Sequence, residues 1–183
     1  KKAFTIHKAI YQIKRGGDGV SRFVLAANKR QNTIFIVDEA SMISDVGGLL
    51  SGKFGSSRSL LDDLMEFVFS GHNCKLIFIG DIAQLPPVGM DISPALEPKQ
   101  LMANYPIDLK GAELKEVVRQ KESSGILYNA TKLRAALMGN DMEISFEVES
   151  YSDVIKITGE DLEDVLNTAY SNDGEDDTIV ICR

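Results

Sequence analysis

Two short apolar runs, each stopping abruptly at acidic residues, constrain this chain more than any other feature. Ile34-Phe35-Ile36-Val37 ends at Asp38-Glu39, and Leu76-Ile77-Phe78-Ile79 ends at Gly80-Asp81. Continuous apolar runs this short, rich in β-branched and aromatic residues, predict strands buried on both faces, as in a parallel sheet. Between them, Ser59 and Asp62 are spaced as a capping box, and Leu60, Leu61, Leu64, Phe67 and Val68 form the stripe of a helix ending near Gly71. Strands alternating with helices predict an α/β fold with a mainly parallel sheet and flanking helices.

The rest of the chain extends this pattern. Residues 4–14 read as a helix capped by Thr5, with Ile6, Ile10 and Ile13 at helical spacing. Gly16-Gly17-Asp18-Gly19 reads as a loop, and the Gly- and Ser-rich residues 47–58 as a mobile one. Further on come a strand at 113–118, helices at about 124–138 and 160–170, one or two strands in 144–157, and a strand at 179–182. The second of these helices has Thr158 and Asp161 as a capping box, with Leu162, Val165, Leu166 and Ala169 as its stripe.

Charge is unevenly placed. The first thirty residues hold eight lysines and arginines against Asp18 alone, an excess of seven; the net charge of −7 therefore leaves −14 on the other 153 residues. Such asymmetry points to a nucleic-acid face at one end, or to a solvated helix face. No apolar run reaches the roughly 20 residues of a membrane span. Cys74 and Cys182 lie in or beside apolar runs and read as two reduced core thiols of a cytoplasmic protein.

The acids carry the chemistry. In an open parallel sheet, ligands bind beyond the carboxyl ends of the strands, where Asp38 and Glu39 fall. A carboxylate there can hold Mg²⁺ against nucleotide phosphates, and a second can orient or deprotonate an attacking water. Gln84 follows the second strand and can sense a γ-phosphate or its attacking water without competing for the metal. Pro86-Pro87 stiffens that loop.

Asp38-Glu39-Ala40-Ser41, followed by Gly80-Asp81-Ile82-Ala83-Gln84-Leu85-Pro86-Pro87-Val88-Gly89, resembles motifs II and III of the RecD-like branch of superfamily 1 DNA helicases. Thr5-Ile6-His7-Lys8 resembles the family's upstream DNA-contacting segment, and Leu114 to Gln120 its motif IV. The resemblance implies a RecA-like P-loop NTPase fold, with residues 1–112 from the back of one motor domain and 113–183 from the start of a second. It implies ATP and Mg²⁺ as cofactors and single-stranded DNA as partner. Asp38 would hold Mg²⁺ through water, Glu39 would activate the hydrolytic water, and Asp81 and Gln84 would lie at the nucleotide, with Gln84 coupling γ-phosphate to DNA. Arg119 would act as an arginine finger across the cleft between the motor domains; Thr5, His7, Lys8, Pro86 and Pro87 would lie along the DNA. Ile82 departs from the family's usual proline.

The family's phosphate loop, Gly-x-x-x-x-Gly-Lys-Ser/Thr, is missing. The near-match Gly47 to Phe54 lacks the hydroxyl residue, follows no strand and comes after motif II rather than before it. The chain therefore reads as an internal, incomplete piece of the motor, inactive by itself, with an apolar sheet edge open to self-association. Two alternatives remain: a P-loop ATPase unrelated to DNA, and a non-catalytic DNA-binding module.

Overall fold

A computed structural model describes residues 3–17, 19–47, 58–114, 124–139, 144–174 and 176–181. The chain divides into two units, Lys1–Glu113 and Leu114–Arg183.

The first unit opens with a five-residue helix, α1 (Ile6–Ile10), capped by the Thr5 hydroxyl, which accepts from the Lys8 N–H at 3.3 Å. The helix expected over 4–14 stops there. Tyr11–Arg15 is instead a strand, β1, antiparallel to β2 (Ser21–Leu25), with Tyr11 opposite Leu25 and Arg15 opposite Ser21. Local spacing of isoleucines could not reveal this, because the competing ladder partners lie six to fourteen positions away. Ile10 is buried as the helical reading requires, whereas Ile13 is exposed.

β3 (Ile34–Val37) and β4 (Lys75–Phe78) pair in parallel, as expected, with Ile34 opposite Lys75 and Val37 opposite Phe78. Between them runs α2 (Leu60–Phe69), whose N-terminus carries the predicted capping box: Ser59 Oγ accepts from the Asp62 N–H at 3.0 Å, and the Ser59 N–H reaches Asp62 Oδ2 at 3.4 Å. Leu61, Leu64, Met65, Phe67 and Val68 of α2 are buried in a core with Ile10, Val37, Ile43 and Leu101. Burying side chains of this size contributes roughly 1.5–3 kcal/mol each. Phe35 meets Phe67 edge to face at 5.9 Å between centroids.

The strands are not buried on both faces. Ile34 is 58% exposed and Ile36 63%, because among the described residues only one face of the pair meets a helix. The described strands form two separate pairs, one parallel and one antiparallel. Beside β4, a groove of about 520 Å³ runs along Leu76 and Phe78, with Met65, Phe69, Ile107 and Leu109 among its walls.

The second unit contains α4 (Gly125–Gly139) and α5 (Leu162–Asn172), α3 (Pro98–Asn104) belonging to the first. The strands expected in 144–157 and at 179–181 are not formed, and Cys182 lies outside the described residues. In the first stretch a side chain replaces a neighbouring strand: the Asn129 amide donates to Glu147 O and accepts from the Glu147 N–H, both at 2.7 Å. Of the strand expected at 113–118, Glu113 and Leu114 are coil and the rest lies outside the described residues. Thr158 and Asp161 do hydrogen-bond, but α5 begins after them, and its stripe is at best half-buried.

Asp62 yields a stability prediction. Burial pushes its carboxyl up, but hydrogen bonds from the Tyr105 hydroxyl at 2.8 Å and from Ser59 outweigh this and hold it below its ordinary value. A carboxyl lowered in this way stabilises the fold above its unfolded value of about 3.9 and loses that contribution as pH falls through the lowered value. Asp62→Ala is expected to cost about 1–2 kcal/mol at neutral pH in urea unfolding, through the lost cap and hydrogen bond. The gap to wild type is expected to narrow on acidification from about pH 5 to about pH 2. A gap independent of pH would show that the carboxylate's charge plays no part.

Candidate functional site

β3 and β4 run in the same direction, so the chain leaves both at one edge of the pair. Asp38 and Glu39 leave β3 there, and Gly80, Asp81 and Gln84 leave β4. The pairing continues past the strand ends: the Ile79 N–H donates to Val37 O at 2.8 Å and the Ala40 N–H to Ile79 O at 2.9 Å.

Between those bonds the chain turns sharply at Glu39, which takes the left-handed conformation, φ 54° and ψ 40°. A residue with a Cβ held there stores on the order of 1–3 kcal/mol. The turn lets Ala40 and Ser41 enter the core while Asp38 and Glu39 remain exposed. Asp38 Oδ1 accepts from the Glu39 N–H at 3.0 Å and braces the turn. The buried Ser93 hydroxyl lies 2.8 Å from Ala40 O and 2.7 Å from Ile43 O, tying down the following 3-10 turn, Ala40–Met42.

The β4 loop is shaped in a related way. Asp81 Oδ1 accepts from the Ala83 N–H at 3.0 Å, and Asp81 O accepts from the Gln84 N–H at 3.1 Å. The two loops meet where the Ser41 hydroxyl donates to Gln84 Oε1 at 3.4 Å. Sequence reasoning named Gln84 and missed Ser41; its place directly after Asp-Glu-Ala was the one signal available. Pro87 is buried and Pro86 half-buried, and the most exposed large apolar side chains of the loop are Leu85 and Val88, at 84% and 95% exposure.

The structure thus brings Asp38, Glu39, Asp81 and Gln84 to one edge. Thr5, His7 and Lys8 lie on and beside α1: His7 is half-buried with its ring 5.8 Å from Tyr11, and the Lys8 ammonium sits 5.6 Å from the centre of the exposed Phe4 ring. Arg119 lies outside the described residues, as does the near-match to a phosphate loop beyond Gly47. Among the described residues, no three His, Cys, Asp or Glu side chains are grouped to hold a metal ion. The groove beside β4 includes none of these site residues. No helix among the described residues is long and apolar enough to cross a membrane.

No protein-family profile, curated protein or solved structure matches the chain.

Gly80 is where the two loops press together. A Cβ there would stand 2.9 Å from Leu96 Cδ1, 3.0 Å from Ser41 N and 3.2 Å from Ala40 N. Two of these neighbours are backbone and cannot swing away. Gly80→Ala is expected to destabilise the chain by about 1–3 kcal/mol in urea unfolding, by forcing β4 from the Ala40 turn. Unchanged stability would mean that this close approach is not needed.

Proposed function

We propose that the chain serves an ATP-dependent DNA helicase of the RecD-like branch, a cytoplasmic motor that couples ATP hydrolysis to movement on single-stranded DNA and to strand separation. Residues 1–112 and 113–183 would be portions of two RecA-like domains. One observation carries this reading: the parallel β3–β4 pair sets the Asp38-Glu39 turn beside the Gln84 loop, joined by the Ser41–Gln84 hydrogen bond. An ATPase unrelated to DNA needs neither the Gln84-Leu85-Pro86-Pro87 loop nor Thr5-Ile6-His7.

The side chains divide the work by chemistry. One oxygen of Asp38 is engaged by the Glu39 N–H, and the other would hold Mg²⁺ through water. Glu39, at the left-handed turn, would take the proton of the attacking water. Gln84 accepts from Ser41 through Oε1 and keeps its Nε2 hydrogens for a phosphate oxygen. A change at the phosphate would then pass through Gln84 to the proline-stiffened loop. Arg119 keeps the transition-state role that the resemblance implies. Bound Mg²⁺-ATP supplies the scissile phosphoanhydride and a neutralised leaving group.

Two outcomes test this. The 183-residue chain alone is expected to show no DNA-stimulated ATP hydrolysis, because its sequence holds no Gly-Lys-Ser/Thr phosphate cradle. Activity in the pure chain would overturn the motif assignment. In a protein that joins this chain to such a cradle, Glu39→Gln keeps size and hydrogen bonding but removes the base. Hydrolysis is expected to fall by roughly 10²–10⁴-fold while nucleotide affinity persists. A collapse of affinity with turnover per bound nucleotide intact would make Glu39 a binding residue instead.

A further inference from the structure

Glu39 holds a backbone conformation that a residue with a side chain rarely adopts, and such a turn persists only when its surroundings over-determine it. Asp38 braces the turn from before, but at an exposed position where water competes for the bond. The Ala40 N–H is fixed to Ile79 O by the ladder. A further tie comes from Ser93, 53 positions beyond Ala40. Ser93 is 2% exposed, and its Oγ lies 2.8 Å from Ala40 O and 2.7 Å from Ile43 O. Ala40 opens the 3-10 turn after Glu39 and Ile43 closes it, so one hydroxyl staples both ends.

A serine hydroxyl has a single hydrogen. Ala40 O also accepts from the Ile43 N–H at 3.2 Å, so the Ser93 hydrogen counts most at Ile43 O, the shorter contact. Away from water, that bond meets no competing solvent. Ser93 is itself held. Its Oγ accepts from the Ala95 N–H at 3.3 Å, and it caps a second 3-10 turn, Pro94–Leu96, in which Pro94 fixes the backbone. Leu96 of that turn packs where Gly80 leaves β4, since a Cβ on Gly80 would come 2.9 Å from Leu96 Cδ1. Ser93 therefore ties the Glu39 turn to the end of β4 and to the far end of the loop that carries Gln84.

We propose that Ser93 is the positioning residue of the carboxylate edge: its buried hydroxyl holds Glu39 in the left-handed turn and so sets where the Asp38 and Glu39 carboxylates point. Its value for hydrolysis rests on the reading of Glu39 as the base; the clamp itself rests on the geometry of Ser93.

The test is proton NMR and native-state hydrogen exchange on the 183-residue chain. A positive φ gives Glu39 a strong cross-peak between its own amide and Hα protons, and Ser93→Ala is expected to weaken it as the turn relaxes. Protection of the Ala40 amide is expected to fall by about tenfold more than that of Val68, which is buried in α2 and reports on stability as a whole. Ser93→Cys keeps a weak donor and is expected to lie between wild type and Ser93→Ala. Asp62→Ala, whose bonds go to Ser59 and Tyr105, is the control: both amides are expected to lose protection equally, with the Glu39 cross-peak unchanged. Glu39→Gly removes the strain, so in that background Ser93→Ala is expected to show no excess loss at Ala40. In a protein that joins this chain to a phosphate cradle, Ser93→Ala is expected to lower turnover by up to about 10²-fold with nucleotide affinity unchanged.

Equal losses of protection at Ala40 and Val68, with the Glu39 cross-peak intact, would make Ser93 an ordinary core residue and overturn the clamp. An excess loss at Ala40 that persists in the Glu39→Gly background would overturn it too, because Ser93 would then be holding something other than the strained turn. If Ser93→Ala does not fold, Ser93→Cys carries the same comparisons. If Ser93→Ala relaxes the turn but Glu39→Gln hydrolyses ATP as wild type does, the clamp stands and the hydrolytic reading fails. If Glu39→Gln abolishes hydrolysis while Ser93→Ala leaves both the turn and turnover intact, the clamp fails and the hydrolytic reading stands.

Discussion

The parallel ladder between Ile34–Val37 and Lys75–Phe78 is the constraint on which the first unit depends. It begins before the strands, where the Lys75 N–H donates to Thr33 O at 2.9 Å, and continues beyond them through Ile79 and Ala40. Antiparallel strands would have sent Asp38 and Gln84 to opposite ends. Parallel strands put both loops at one edge, and the left-handed turn at Glu39 keeps the two acids exposed while the next two residues fold into the core. Buried groups hold the exposed ones at this edge, with Ser93 bonded to the Ala40 turn and Ser41 to Gln84.

Helix α2 is the second organiser, and it acts through its acids as much as its apolar stripe. Asp62 closes the capping box and also accepts from Tyr105, fastening the segment that follows α3. Asp63 accepts from Tyr11 and pairs with Arg58 at 3.4 Å, fastening the hairpin's base. Burial first, and then its bond to Asp63, raise the Tyr11 hydroxyl well above its ordinary value, and Tyr105 responds to burial and Asp62 in the same way. Both therefore remain protonated donors at neutral pH. Asn28 completes the arrangement at the other end of α2, donating to Phe67 O at 3.0 Å and Val68 O at 3.2 Å. No buried side-chain nitrogen or oxygen among the described residues lacks a partner, which a polar network in a core requires.

The second unit uses distant side chains where the first uses strands. Asp153 accepts from the Ser124 hydroxyl at 2.7 Å and from the Gly125 N–H at 2.8 Å, so the start of α4 is capped from 28 residues downstream. The Ser124 hydroxyl bond, followed by the Gly125 one, holds the Asp153 carboxyl below its ordinary value. Gly125 must lack a side chain there, because a Cβ would fall 2.5 Å from Tyr151 Cβ. With Asn129 gripping Glu147, these contacts order a segment that has no strand neighbour among the described residues.

What the sequence alone determined is what local chemistry dictates. The two short apolar runs specified strands, Ser59 and Asp62 specified the start of α2, Thr5 capped α1, and the acids after the runs marked the candidate site. Each of these depends on residues within a turn or a strand of one another. Tertiary structure decided the rest. Tyr11–Arg15 left the helical pattern because Ser21–Leu25 offered it a ladder, and Ile34 and Ile36 stayed exposed because burial depends on what covers a strand, not on its own residues. The link from Ser41 to Gln84, the closeness of Gly80 to Ala40, and the opposition of Lys14 to Arg22 all join residues that are separate in the chain. A residue pattern specifies which elements can form, but the pairing of those elements decides which side chains meet.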